Sequence, residues 1–330
     1  MSPSLRAPSS PRTLAVRQRG AALLAAMLTV TLVATLAAGA LWQQWRAVEV
    51  ESAERARVQS SWILTGALDW SRLILREDAR SGGPDTLSEP WAIPLQEARL
   101  SSFLAADQSN TASDDKDLSE AFLSGAITDQ QGRLNLQNLI NNKQLSESAH
   151  RATSKLFDLL GLPEAQLTTL EQNLLQAQKA QETSAPLPAQ RLDQLLTYGL
   201  SASTLARLRP YVTLLPERTP VNLNTAPAEV IYASVRTLDM ATAQRLVTQR
   251  TRTPFKTISD AGALMGDAAS QLSEAEHSIS SRYFEVLGRL RLGDTRVQER
   301  SLVRRTNMEV QTLWRERGQF DTVASNPTPP

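Results

Sequence analysis

Four carboxylates crowd one stretch of this chain: Asp107, Asp114, Asp115 and Asp117. Hard oxygen ligands close together in a polar loop suit calcium, although the spacing is not that of an EF-hand. Lys116 sits among them, so a solvated acidic loop is the alternative to ligation. His150 and His277 stand 127 positions apart in polar, helix-like sequence and are expected as surface imidazoles. Cysteine is absent, and with it disulfides, thiolate metal sites and cysteine nucleophiles. No Gly-x-Ser-x-Gly elbow, Walker loop, His-Glu-x-x-His helix or dinucleotide fingerprint occurs, so no residue is nominated as catalytic. With 35 basic and 34 acidic residues, the net charge of +1 draws the chain as a whole to neither nucleic acid nor an anionic surface.

One junction carries chemistry of a processing kind. Arg17-Gln18-Arg19-Gly20 runs directly into Ala21, and residues 21–41 hold no charge. As a helix they extend about 31 Å, enough to span a bilayer. Arg6, Arg12, Arg17 and Arg19 precede them and no acidic residue comes before Glu49, so the amino terminus is expected in the cytoplasm and the remainder outside. Trp42 and Trp45 fall where indoles favour the membrane interface. The junction resembles the type IV prepilin leader, cut after the glycine by prepilin peptidase. That resemblance implies cleavage between Gly20 and Ala21 and methylation of the new amine of Ala21. Pilins of this kind usually carry glutamate at the fifth mature position, which here is Ala25. The resemblance implies that the glutamate pairs with the amine of an adjacent subunit, a pairing this chain lacks. A cleaved secretory signal is the competing possibility. Ala38-Gly39-Ala40 offers a small-residue pattern, but the apolar run is long and passes into charged, helix-like sequence.

These features need elements to position them. Residues 45–80 mix apolar and charged positions in amphipathic helical fashion, and Ser81-Gly82-Gly83-Pro84 stops the helix. Ala126-Ile127-Thr128 and Leu134-Asn135-Leu136 flank Asp129-Gln130-Gln131-Gly132, which predicts a hairpin pairing the two pieces. Residues 146–215 repeat leucine at helical spacing, interrupted at Gly161-Leu162-Pro163 and Ser184-Ala185-Pro186-Leu187-Pro188. Val221-Asn222-Leu223-Asn224-Thr225-Ala226, followed by helix, turn and helix, resembles a helix-hairpin-helix module. Its connection, Thr237-Leu238-Asp239-Met240-Ala241, lacks the glycines that let such hairpins meet phosphate. A scaffold or protein-contact role is therefore expected, with Arg245, Arg250 and Arg252 on a solvated face. Residues 282–292, 297–305 and 308–315 alternate as three antiparallel strands.

Glu89-Pro90-Trp91-Ala92-Ile93-Pro94, the stretch from Gly125 to Leu139 and Thr219-Pro220-Val221-Asn222-Leu223-Asn224-Thr225-Ala226 together resemble the minor pseudopilin K family of type II secretion. The expected fold is α+β: a type IV pilin-like long helix and antiparallel sheet, with a large inserted all-helical domain of SAM-like or helix-hairpin-helix-like kind. The expected organisation is a prepilin leader at 1–20, a transmembrane helix at 21–41, a stem at 42–80 and the first part of the pilin-like body at 81–145. Inserted helices follow at 146–277, their second part beginning near 219, then closing strands at 278–320 and a disordered tail at 321–330. The resemblance implies a non-enzymatic subunit that caps a periplasmic pseudopilus and initiates its assembly. It also implies calcium, an inner-membrane anchor and partners of the I and J minor pseudopilin types. Prepilin peptidase, secreted proteins and the outer-membrane channel are further expected contacts, and nucleic acid is not. The alternatives are a membrane-anchored periplasmic DNA-binding protein and a signal-anchored periplasmic enzyme.

Overall fold

The computed structural model describes residues 18–101, 121–179, 188–293 and 295–320. It divides into two units, residues 1–59 and 60–330. Helix α1 (Gln18–Ser81) begins in the first unit and ends in the second. Its 64 residues include no proline. Thr29, Thr31 and Thr35 return their hydroxyls to carbonyls one turn back, at 2.9, 2.9 and 2.8 Å. The apolar stretch thus leaves no threonine donor to be desolvated in hydrocarbon. Gly82 and Gly83, at φ 68° and 113°, end the helix in left-handed backbone that other residues adopt at a cost.

Within the second unit, Ser60, Leu64, Leu68 and Leu75 form the buried face of α1. They lie against a five-stranded sheet with neighbours in the order β1 (Leu95–Arg99), β2 (Ala121–Asp129), β3 (Tyr283–Leu292), β4 (Thr295–Thr306) and β5 (Glu309–Arg317), every pair antiparallel. The three carboxy-terminal strands complete the sheet, as the alternating pattern predicts. Leu68, Leu75, Trp91, Phe284, Val286, Val303 and Val310 form the core beneath the helix. Gly288 lies opposite Gly125 in the sheet, and a Cβ there would meet Leu64 Cδ2 at 3.1 Å, so the bare backbone is what lets α1 approach.

The chain leaves the sheet after β2 and returns to its neighbour β3, with Asp129 opposite Phe284. Everything between is an excursion. The hairpin expected at 126–136 is not formed: β2 pairs with β1 and β3, while Leu134 and Asn135 pair in parallel with Val212 and Thr213. The cause is local and tertiary together. Asp129 Oδ1 accepts from Gln131 N at 2.7 Å, turning the chain away, and Leu134, Leu136, Leu139 and Ile140 carry more apolar surface than a two-stranded turn can cover. These side chains join the core of α2 (Glu147–Leu159), α3 (Glu164–Lys179), α4 (Ala202–Leu208), α5 (Ala228–Ser234), α6 (Met240–Arg252) and α7 (Ile258–Gly262). One cluster runs from Leu156 and Leu167 through Leu208 to Ile231, Leu246 and Phe255, so the helices on both sides of residue 219 share a core. A parallel pair, Val221–Asn222 with His277–Ser278, closes the excursion.

Candidate functional site

The helical block is fastened to the sheet by buried polar groups at the two points where the chain crosses. Asp129, at the end of β2, is 4% exposed. Its Oδ2 accepts from Ser281 Oγ at 2.6 Å, Thr225 Oγ1 at 2.6 Å and Asn222 Nδ2 at 3.1 Å. Burial raises its pKa, outweighing the pull of those hydrogen bonds. Asn222, fully buried, also donates to Asp85 O at 3.2 Å and Ser281 Oγ at 2.9 Å. Asp85 lies just past the end of α1. Its Oδ2 accepts from Ser281 N at 2.6 Å, and its Oδ1 pairs with Arg305 of β4. Arg305 reaches Asp78 Oδ2 of α1 at 2.5 Å as well, and donates to Ser281 O at 2.9 Å. Burial lifts the Asp85 pKa to about 6 although Arg305 draws it down. Helix, sheet and block thus meet in one network.

Farther along, α1 is held by arginines of the sheet. Glu299 of β4, 4% exposed, accepts from Arg315 Nε and Arg317 Nε of β5 at 2.8 Å each. The same guanidiniums donate to Thr65 Oγ1 and Ser61 Oγ of α1 at 2.9 and 2.7 Å. The opposite face of this helix segment carries Trp62, 73% exposed, and Trp70, with Gly66 between them. A Cβ at Gly66 would meet nothing within 4 Å, so the two indoles flank an open notch. In the first unit, every large apolar side chain from Leu23 to Val50 is more than half exposed, and the rings of Trp42 and Trp45 meet at a tilt of 38° with centroids 5.5 Å apart. Among the described residues this is the helix long and apolar enough to cross a membrane.

Gly20 and Ala21, the expected processing positions, lie in the first turns of α1 and are exposed. Asp107, Asp114, Asp115 and Asp117, the expected calcium ligands, fall outside the described residues. Among the described residues, Asp78, Asp85 and Glu89 bring carboxylate oxygens within 4.8 Å of one another. That trio does not fit calcium. Arg305 already neutralises two of the carboxylates, and Glu89 Oε2 accepts from Thr86 N and Trp91 Nε1 at 2.8 Å each. His277 is not the surface side chain expected: it is 1% exposed beside the Val221–Asn222 pair, and burial lowers its pKa, keeping it neutral. Arg250 likewise leaves the solvated face and donates to Leu223 O at 2.5 Å, its pKa drawn down by burial to about 10. Its head reaches a carbonyl 27 positions away in the chain, which helical spacing alone cannot foretell. Asp85, Ser281 and Arg305 had no motif to announce them. Asn222, Thr225 and Asp129 lay inside recognised stretches, but their meeting depends on the fold.

A long amino-terminal helix whose later turns pack on an antiparallel sheet defines a pilin-like subunit, here with a helical block inserted between adjacent strands. The family descriptions "Type II secretion system (T2SS), protein K" match residues 132–217 and 221–280, which together are the block. Proteins named type II secretion system protein K from Pseudomonas aeruginosa and Pectobacterium carotovorum are 28% and 25% identical to it. The alignments cover 92% and 93% of this chain and 93% and 98% of those proteins. The fold is similar to a chain in the crystal structure of the GspK-GspI-GspJ complex from enterotoxigenic Escherichia coli. The TM-score is 0.64 at 17% identity, over 81% of this chain and 99% of that one. The chain belongs to the protein K family of the type II secretion system and is a minor pseudopilin.

Proposed function

We propose that this subunit caps the tip of the periplasmic pseudopilus and initiates its assembly, so that folded proteins are exported across the outer membrane. The observation that carries this is the helical block lodged between β2 and β3, a head far larger than one pilin-like sheet needs. Fibre subunits of this kind stack through their helices, so such a head obstructs addition above while leaving contacts below available. Ala25 supports the same place, because a tip subunit has no overlying amine to pair with a glutamate in the membrane. In this reading the role is structural and not catalytic, the amino terminus is cytoplasmic and the body periplasmic.

Processing is expected between Gly20 and Ala21, with methylation of the new amine. Intact mass of membrane-extracted protein should correspond to 310 of the 330 residues plus one methyl group. A terminus at Met1 or near Trp42 is the result that refutes it.

The partners proposed are minor pseudopilins of the I and J types, since the similar solved chain is named in a complex with GspI and GspJ. The notch between Trp62 and Trp70 offers them an apolar helix face. Trp62→Glu should weaken co-purification with those partners at least tenfold while thermal unfolding of the isolated chain stays unchanged, the indole being mostly exposed. Undiminished co-purification would remove this face from the interface.

Calcium is proposed on Asp107, Asp114, Asp115 and Asp117, motivated by their oxygen-rich sequence. Replacing all four by asparagine should abolish any calcium-dependent rise in thermal stability. A rise that survives places calcium elsewhere.

A further inference from the structure

The α5–α6 turn treats one side chain as an ion. Lys155 of α2 directs its Nζ at four backbone carbonyls of that turn: Tyr232 O at 2.8 Å, Val235 O at 2.9 Å, Arg236 O at 3.1 Å and Leu238 O at 2.9 Å. The Tyr232 ring lies against the same ammonium, its centroid 3.9 Å away. An ammonium has three hydrogens, and here it meets four oxygens and a ring face. That is the coordination of a cation in a carbonyl cage rather than a set of directed hydrogen bonds. The distances of 2.8 to 3.1 Å exceed the roughly 2.3–2.6 Å of calcium–oxygen contacts, and the four oxygens are neutral carbonyls, the ligand type that replaces the hydration shell of potassium.

We infer that the α5–α6 turn is a binding site for a monovalent cation of potassium or ammonium size, and that in this chain Lys155 occupies it as a tethered cation. The ammonium also joins the two parts of the block: the turn connects two helices of the later part, Lys155 belongs to the first helix of the earlier part, and the cage locks one to the other. None of residues 235–239 takes a positive φ, so the turn needs no glycine, and its carbonyls gather around the charge in ordinary backbone. Burial lowers the lysine's pKa, and the charge of Asp239, the residue after Leu238, acts against it.

The experiment is ion rescue on the full chain in detergent. Thermal unfolding of the native protein, Lys155→Ala and Lys155→Met is followed in potassium, ammonium and tetramethylammonium chlorides at equal ionic strength. The native protein should respond alike to all three salts. Lys155→Ala empties the cage, so its midpoint should fall by several degrees in tetramethylammonium. It should recover by more than half in ammonium or potassium, with a saturable concentration dependence. Lys155→Met fills the same space with an uncharged chain and should stay destabilised in every salt. A Lys155→Ala midpoint that is equally low in all three salts overturns the proposal, as does a variant that remains unfolded in all of them. Recovery of Lys155→Met to the same degree also overturns it, because the effect would then be one of salt on the whole protein.

Discussion

Excising residues 130–280 and joining Asp129 to Ser281 through a short turn should yield a chain that keeps its five-stranded sheet but no longer blocks addition at the tip, so that pseudopili grow several times longer than with the intact protein. Asp129 stands opposite Phe284 in neighbouring antiparallel strands, so a tight connection can bridge the gap without moving either. The core under α1 is made by Leu68, Leu75, Trp91, Phe284, Val286, Val303 and Val310, none of which belongs to the block. The sheet loses the cover of Leu215 over Tyr283 and Leu302, the hydrogen bond of Tyr283 to Glu217, the ion pairs of Glu316 with Arg191 and of Arg300 with Asp193, and the hydrogen bonds from Asn222 and Thr225 to Asp129. Water can replace those bonds once the block is gone, because the carboxylate is then exposed. Electron microscopy of the fibres and a secretion assay measure the outcome. Longer fibres with impaired secretion support capping by bulk. A well-folded excision variant with unchanged fibre length and secretion would show that the block does not obstruct addition.

Arg305→Ala should destabilise the protein by about 3–5 kcal/mol at neutral pH, the usual cost of stranding a buried charge. Two carboxylates lose their partner at once, Asp78 and Asp85, the latter 3% exposed. The pH dependence gives a second handle. Asp85 has a folded pKa near 6 against 3.8 ordinarily, so its protonated form favours the fold. That contribution is fully present below pH 3.8 and is lost as pH rises through 6, by up to roughly 3 kcal/mol at ~1.4 kcal/mol per pH unit. Without Arg305 the pKa of Asp85 rises further. The deficit of the variant should therefore be largest at neutral pH and shrink toward pH 4, where the carboxyl is protonated with or without its partner. Denaturant midpoints across that range test this, and a deficit constant with pH would mean that the ion pair is not what Arg305 contributes.

Much of the architecture was written in local pattern. An uncharged run after a basic leader, glycines after a charged helix, leucines at helical spacing and alternation in the last strands each follow from chemistry that acts over a few residues. These gave the span, the stop at Gly82 and Gly83, the helical block and strands β3 to β5. Tertiary structure decided everything that depends on which surfaces meet. The expected pairing of Ala126-Ile127-Thr128 with Leu134-Asn135-Leu136 failed because β2 found β3, more than 150 residues away in the chain, while the leucines after it found the core of the block. His277 and Arg250 were expected in solvent and are buried because a partner carbonyl or a parallel strand pair lies where helical spacing cannot place it. The joint of Asp85, Asp129, Asn222, Ser281 and Arg305 was invisible for the same reason: its members are ordinary polar residues until the fold removes them from water, and burial then makes each hydrogen bond and charge among them decide how block, helix and sheet are held.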